Sequence, residues 1–270
     1  MHAFRVTVPE VDEDRATALL WEAGTAGIEV AAAPGGRTAL LAYFPAETSL
    51  AALEETLADA TIEAVAVPEV DWVARFRETF RAFRVGGFAV APPWDRPADD
   101  GNLIVVDPGR AFGTGTHEST RLCLGVLEDL AGARALGRVI DVGTGTGILG
   151  VAALRLGARL AVATDIDPDA TASAIHHATL NRAPLRVVRG DGAGPFCPGA
   201  FDVVLANLTA PLLVTHATSI AGLRRRGGAL VLSGLLDSDR PEVQAAYGAC
   251  GPFDVRLDGE WAALVYRGQP

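Results

Sequence analysis

The sequence contains no lysine, so all 23 of its basic side chains are arginines, set against 33 acids for a formal net charge of −10. That balance argues against a dedicated nucleic-acid binder, because phosphate contacts need a basic surface. The expected partner is neutral or basic, without direct nucleic-acid binding. The missing lysine is itself ascribed to biased composition and carries no functional weight. Cysteine is scarce as well: Cys123, Cys197 and Cys250 are odd in number and far apart, which suggests neither a disulfide framework nor a Cys-x-x-Cys metal site. No run reaches the ~18 apolar residues of a membrane span. The opening MHAFRVTVPEVDED has Arg5, Pro9 and four acids where a signal peptide needs an apolar stretch, so a cytoplasmic location is expected.

What is present suits a globular protein: 49% of residues are hydrophobic and 21% charged. At roughly 150 residues per domain, the 270 residues suggest two domains. FRVTV at 4–8 alternates as a half-buried strand, and a helix from Asp12 places Ala16, Leu19, Leu20 and Ala23 on one face before Gly24 stops it. GIEVAA, the turn PGG at 34–36 and TALLAYF read as a hairpin, Ser49 caps a second helix carrying Leu53 and Leu57, and IEAVAV closes the unit. This β-α-β-β-α-β order is that of a small ferredoxin-like α+β domain, residues 1–68. Its excess of acids over arginines would steer a basic protein toward it. A linker helix is expected at 69–82, with the aromatic stripe Trp72, Phe76, Phe80 and Phe83.

From 83 to 270 the pattern changes. Short apolar runs (LIVVD, RVIDVG, LAVATD, LRVV, DVVLAN, GALVLSG) alternate with helical stretches, which predicts an α/β unit with a parallel sheet covered on both faces. FDVRLD and WAALVYR follow without an intervening helix and should add an antiparallel element at the sheet edge.

In such a sheet the ligand crevice lies outside the carboxyl ends of the strands. The first end is VIDVGTGTG, where Gly143, Gly145 and Gly147 permit a sharp turn and close backbone approach. Gly145, Gly147 and Gly150 also fit the dinucleotide spacing, so the loop admits either a methyl donor or NAD; Asp141 ahead of the glycines and the regular GxGxG favour the donor. The second end carries Asp165, placed to accept hydrogen bonds from ribose hydroxyls, with Asp167 as the cap of the next helix. The third ends in Asn207, whose amide oxygen, with the Leu208 carbonyl beyond it, can accept from an incoming amine. Upstream, DPGRAFGTGTHESTRLCL forms a glycine-rich loop entering a helix. There Thr120 is placed for the donor's amino-acid end, and Phe112 and His117 for an acceptor channel. His176, His177 and His216 are too scattered for a metal site.

DPGRAFGTGTHESTRLCL, VIDVGTGTGILGVAALRLGA, DIDPDA, ANLTAPLL and GEWAALVYRG together resemble successive motifs of the large-subunit ribosomal protein eleven methyltransferase family (PrmA), and the resemblance spans essentially the whole chain. It implies a class I (Rossmann-like) methyltransferase sheet behind a small substrate-recognition domain. It also implies S-adenosylmethionine as methyl donor, and transfer to the α-amino and lysine ε-amino groups of a basic ribosomal protein. Carried over residue by residue, the donor contacts are Thr120, Gly143, Asp165 and Asn207. The sequence departs from the pattern at Thr209, Pro211 and His177, expected to border the acceptor. Two other readings stay open on sequence: a lysine methyltransferase acting on another protein, such as an electron-transfer flavoprotein subunit, and a nicotinamide-dependent oxidoreductase.

Overall fold

The computed structural model describes residues 2–25, 27–44, 53, 57, 60–65, 81–98, 101–107 and 115–268. The chain divides into two compact units, Met1–Asp71 and Trp72–Pro270.

The first unit contains β1 (His2–Pro9), α1 (Glu13–Glu22), β2 (Gly27–Ala33), β3 (Arg37–Phe44) and β4 (Thr61–Val65). The strands pair antiparallel throughout, in the order β2-β3-β1-β4. Alternation in β1 sends Phe4, Val6 and Val8 inward, where Ala16 and Leu20 of α1 meet them. Gly24, at φ +86°, ends the helix as a left-handed stop, and Gly35 and Gly36, both at positive φ, close the β2–β3 hairpin. The helix expected from Ser49 lies outside the described residues except for Leu53 and Leu57, which bury in this same core. The linker expected at 69–82 is described only at Arg81 and Ala82.

The second unit opens with β5 (Phe83–Val85), β6 (Phe88–Ala91) and β7 (Leu103–Val105), so that Phe83, expected on the helical aromatic stripe, instead begins a strand and pairs with Val90. LIVVD was expected to start the large parallel sheet. Instead β7 pairs with β6, parallel, in a separate three-stranded sheet. Asn181 holds it there: its Oδ1 accepts from the Val105 N–H at 2.7 Å and its Nδ2 donates to the Val105 carbonyl at 2.7 Å. One buried side chain thus satisfies a strand edge that the large sheet does not reach.

The remaining elements are α2 (Glu118–Ala133), β8 (Arg138–Val142), α3 (Ile148–Arg155), β9 (Leu160–Asp165), α4 (Pro168–Leu180), β10 (Arg186–Arg189), β11 (Phe201–Asn207), α5 (Ala210–Thr215), α6 (Ala217–Leu223), β12 (Arg224–Leu236), α7 (Arg240–Ala246), β13 (Phe253–Asp258) and β14 (Trp261–Arg267). Seven strands form one sheet in the order β10-β9-β8-β11-β12-β14-β13. The first five are mutually parallel. The closing hairpin is present, but its antiparallel strand β14 inserts between β12 and β13, one place in from the edge.

Consecutive residues of the central strands face opposite layers. Val139, Val203 and Val231 pack on one side with Leu124 and Leu127 of α2, while Ile140, Val204 and Leu230 pack on the other with Leu213 and Ile220 of α5 and α6. That two-sided burial explains why these strands read as unbroken apolar runs. Strand order reverses between β8 and β11, which opens a crevice at their carboxyl ends.

Candidate active site

The loop after β8 is strapped to its neighbour: the N–H groups of Gly143 and Thr144 donate to the Thr164 carbonyl at 2.9 and 3.1 Å. Gly143 and Gly145 have φ of +70° and +55°, backbone that L side chains rarely adopt. A Cβ at Gly143 would also run into the Leu208 side chain. Gly147, at φ +81°, precedes α3, and a Cβ there would crowd Ala174 and Leu185. Its role is helix packing, and unlike Gly143 and Gly145 it does not line the cavity described below.

Asp141, the residue before the last of β8, is 1% exposed. Its Oδ2 accepts from Thr144 Oγ1 at 2.5 Å, whereas its buried Oδ1 makes no hydrogen bond of good geometry, and the Gly150 backbone N–H lies close enough to the carboxyl to favour its charged form. Burial, with the Asp165 carboxylate adding to it, pushes the Asp141 carboxyl up to about 7. Asp165 ends β9; its Oδ2 accepts from the Gly145 N–H at 3.0 Å and its Oδ1 from the Asp167 N–H at 3.1 Å, which orients the carboxylate at the crevice. Asp167 caps α4 as expected, accepting from the Asp169 N–H at 2.8 Å ahead of Pro168.

Across the crevice, Asn207 ends β11 and its Nδ2 donates to Thr120 Oγ1 on α2 at 3.4 Å, leaving Oδ1 as the free acceptor. A bulge in β12 brings Gly234, at φ +83°, against this turn, where a Cβ would sit 2.6 Å from the Leu208 carbonyl oxygen and 2.9 Å from Asn207 Oδ1. His117 caps α2: its Nδ1 accepts from the Ser119 N–H at 3.3 Å. Its ring meets Trp261 edge-on with centroids 4.3 Å apart. Phe112 lies outside the described residues.

These groups enclose a cavity of about 710 Å³ that Thr120, Asp141, Gly143, Gly145, Asp165 and Asn207 line. His117 and Leu208 line it too. Residues with no assigned role on sequence also contribute: Asp191 and Gly192 after β10, His216 between α5 and α6, Gly234, and Trp261. An acid after the next strand end was a readable signal for Asp191. Gly234 gave none, because a bulge has no local code. His177, expected to border the acceptor, does not line this cavity. It is buried, with Nδ1 donating to the Ser173 carbonyl and Nε2 accepting from the Asp107 N–H at 2.9 Å. Burial holds its pKa below the ordinary histidine value, which suits the neutral tautomer. Among the described residues no cluster of acids, histidines or cysteines comes together to hold a metal, and no helix is long and apolar enough to cross a membrane.

Residues 3–269 match the family described as Ribosomal protein L11 methyltransferase (PrmA). A ribosomal protein L11 methyltransferase of Geobacter sulfurreducens is 43% identical over 208 residues, covering 75% of this chain and 68% of the relative. That of Myxococcus xanthus is 33% identical over 278 residues, 96% of each. The crystal structure of ribosomal protein L11 methylase from Lactobacillus delbrueckii subsp. bulgaricus superposes with a TM-score of 0.63 at 28% identity, covering 70% of this chain and all of that one. With the sheet order and the glycine-loop crevice, these matches identify a class I methyltransferase fold, and the chain belongs to the ribosomal protein L11 methyltransferase family.

Proposed function

We propose that this enzyme transfers methyl groups from S-adenosylmethionine to the α-amino and lysine ε-amino groups of the large-subunit ribosomal protein L11. The observation that carries the reading is Asp141 Oδ1, a buried carboxylate oxygen without a hydrogen bond of good geometry, on a residue that lines the same cavity as Asp165 and Asn207. An under-satisfied buried acceptor fits a cationic ligand. The donor's ammonium supplies that cation, and its nucleoside suits Asp165 for the ribose, with Asp191 beyond it for the base. Thr120 and the backbone of Gly143 and Gly145 complete the donor set. A dinucleotide fits less well, because its pyrophosphate at the glycine loop would face the Asp141 carboxyl.

When bound, S-adenosylmethionine supplies an electrophilic methyl group on a positively charged sulfur. The chain's own residues then position the amine. Asn207 Oδ1 and the Leu208 carbonyl accept its N–H groups, which orients the nitrogen lone pair. A lysine side chain starts near pKa ~10.4 and an α-amine near ~7.7–8.0, and a low-dielectric cavity beside a cation favours the neutral amine in both. Orientation accounts for most of the remaining chemistry, a contribution of up to roughly 7–11 kcal/mol in well-aligned systems. His117 shapes the wall with Trp261 as the cap of α2.

The first unit is the proposed recognition element for this basic protein, with exposed Glu10, Glu29 and Glu63 on its surface. The test is incubation with isotopically labelled donor and purified L11, followed by mass mapping. Label at the amino terminus and at lysines of L11 is the expected result. Label confined to another protein of a cell extract would overturn the substrate assignment.

A further inference from the structure

Three of the turns that return a helix to the large sheet share a charge pattern that the active site does not use. Arg134 and Arg138 bracket the turn from α2 into β8, Arg155 and Arg159 the turn from α3 into β9, and Arg182 and Arg186 the turn from α4 into β10. Three successive connections thus read Arg-x-x-x-Arg. Arg224, Arg225 and Arg226 open β12, and Arg267 ends β14, which runs the opposite way and so finishes at the same edge. Because β8 to β12 are parallel, the topology collects all of these on one rim, at the strand starts and opposite the cavity.

Several of these arginines have structural partners. Asp202 pairs with Arg225 and, at 3.9 Å, Arg138, and Asp254 pairs with Arg267 at 3.3 Å. Arg134, Arg155 and Arg224 donate to the carbonyls of Gly227, Asn181 and Cys250. Arg159, Arg182, Arg186 and Arg226 are exposed and have no acid partner among the described residues. At about 4.7–4.9 Å between strands, the rim from β10 to β14 is roughly 24 Å long.

Arg182 adds an independent observation. It is the only non-glycine with positive φ among the described residues, at +49°, and it directly follows the α4 C-cap Asn181 as Gly157, at +84°, follows the α3 C-cap Leu156. An arginine therefore stands where glycine fits the backbone better.

We propose that this rim binds the phosphate backbone of RNA. Guanidinium forks pair bidentately with phosphates, and arginines spread along the rim at β10, β9, β8, β12 and β14 present several such forks to a polyanion. The net charge of −10 conceals the rim because the first 68 residues hold 11 acids against 3 arginines, whereas residues 69–270 hold 22 acids against 20 arginines, with Asp141, Asp165 and Asp191 at the other end of the sheet. A membrane surface fits poorly: the one large apolar side chain exposed near the rim among the described residues is Phe253. The choice of RNA rather than DNA rests on the ribosomal reading above; the anion binding does not.

The test is fluorescence anisotropy of the full chain with a fluorescein-labelled 24-nucleotide poly(U) RNA between 50 and 300 mM KCl, without donor or protein substrate. With ~0.7 counterions released per single-strand phosphate contact, four contacts predict a log–log salt slope near about −3. The combined Arg159→Gln, Arg182→Gln, Arg186→Gln and Arg226→Gln variant is expected to lose most of that slope and at least ~30-fold in affinity at 50 mM KCl. Its S-adenosylhomocysteine affinity and melting temperature should stay unchanged. Arg182→Gly alone, which relaxes its turn, should lower the slope by ~0.7. No RNA binding by the wild type, an unchanged slope in both variants, or equal competition by polyglutamate or phosphatidylglycerol vesicles would overturn the proposal. None of these outcomes depends on methyl transfer, so failure here is distinct from failure of the proposed reaction.

Discussion

Thr144 Oγ1 donates to Asp141 Oδ2 at 2.5 Å within the glycine loop, and so fixes a carboxylate whose second oxygen is buried without a hydrogen bond of good geometry. The relationship makes donor binding depend on pH. Burial raises the folded-state pKa of Asp141 from 3.8 to about 7, so between those values the folded protein holds a proton that the unfolded chain has released. The Asp141 contribution to stability without donor is therefore fully present below pH 3.8 and lost as pH rises through about 7. A cationic donor favours the carboxylate and reverses the preference. Calorimetric affinity for S-adenosylhomocysteine should rise several-fold from pH 6 to 8, and Asp141→Asn should weaken binding and flatten the profile. A wild-type affinity that ignores pH contradicts the assignment.

Asn207 Oδ1 is the free acceptor of a side chain anchored through Thr120. Asn207→Ala should lower kcat about 100-fold, as positioning losses do, with a much smaller change in donor affinity. Single-turnover kinetics beside calorimetry would separate the two. Unchanged turnover removes Asn207 from amine orientation.

Gly234 permits the approach of β12 to the Asn207–Leu208 turn. Gly234→Ala would place a methyl group 2.6 Å from the Leu208 carbonyl oxygen at a φ of +83°. The expected cost is about 1–2 kcal/mol from the left-handed backbone alone, and turnover should fall with it because the displaced atoms are those proposed to hold the amine. Thermal denaturation and labelled-methyl transfer measure both effects.

Arg182→Gly should stabilise the second unit. Relief of the left-handed conformation, ~1–2 kcal/mol, exceeds the added chain entropy of glycine, ~0.4–1 kcal/mol. A gain of up to ~1 kcal/mol corresponds to a rise of about 2–4 °C in Tm. Scanning calorimetry should show it, with RNA affinity moving the opposite way.

Much of this architecture was legible in the sequence because the relevant signals are local. Glycines before α3, an acid at the end of β9 and an Asp-Pro cap on α4 each specify a short stretch of backbone, and each sits where expected. Longer-range choices were not legible. The run LIVVD specifies a strand but not its partner, and Asn181, 76 residues beyond Val105, decides that β7 stays outside the large sheet. Likewise nothing in WAALVYR says that β14 inserts between β12 and β13. The site shows the same division: Asp141, Asp165 and Asn207 follow from strand ends, whereas Gly234 and Trp261 reach the cavity through a bulge and a hairpin. His177 was expected near the acceptor by sequence correspondence, yet its ring instead anchors the backbone of Asp107. Net charge was the least informative quantity, since most of it comes from the acidic first 68 residues and says nothing of where the arginines of the second unit gather.

The most direct test of the central claim is a crystal structure of the protein with S-adenosylhomocysteine. The account predicts ribose hydroxyls on Asp165, the donor's ammonium on Asp141 Oδ1, and the sulfur facing the space beside Asn207. Ligand bound elsewhere, or Asp141 Oδ1 still unpaired beneath it, would contradict the account.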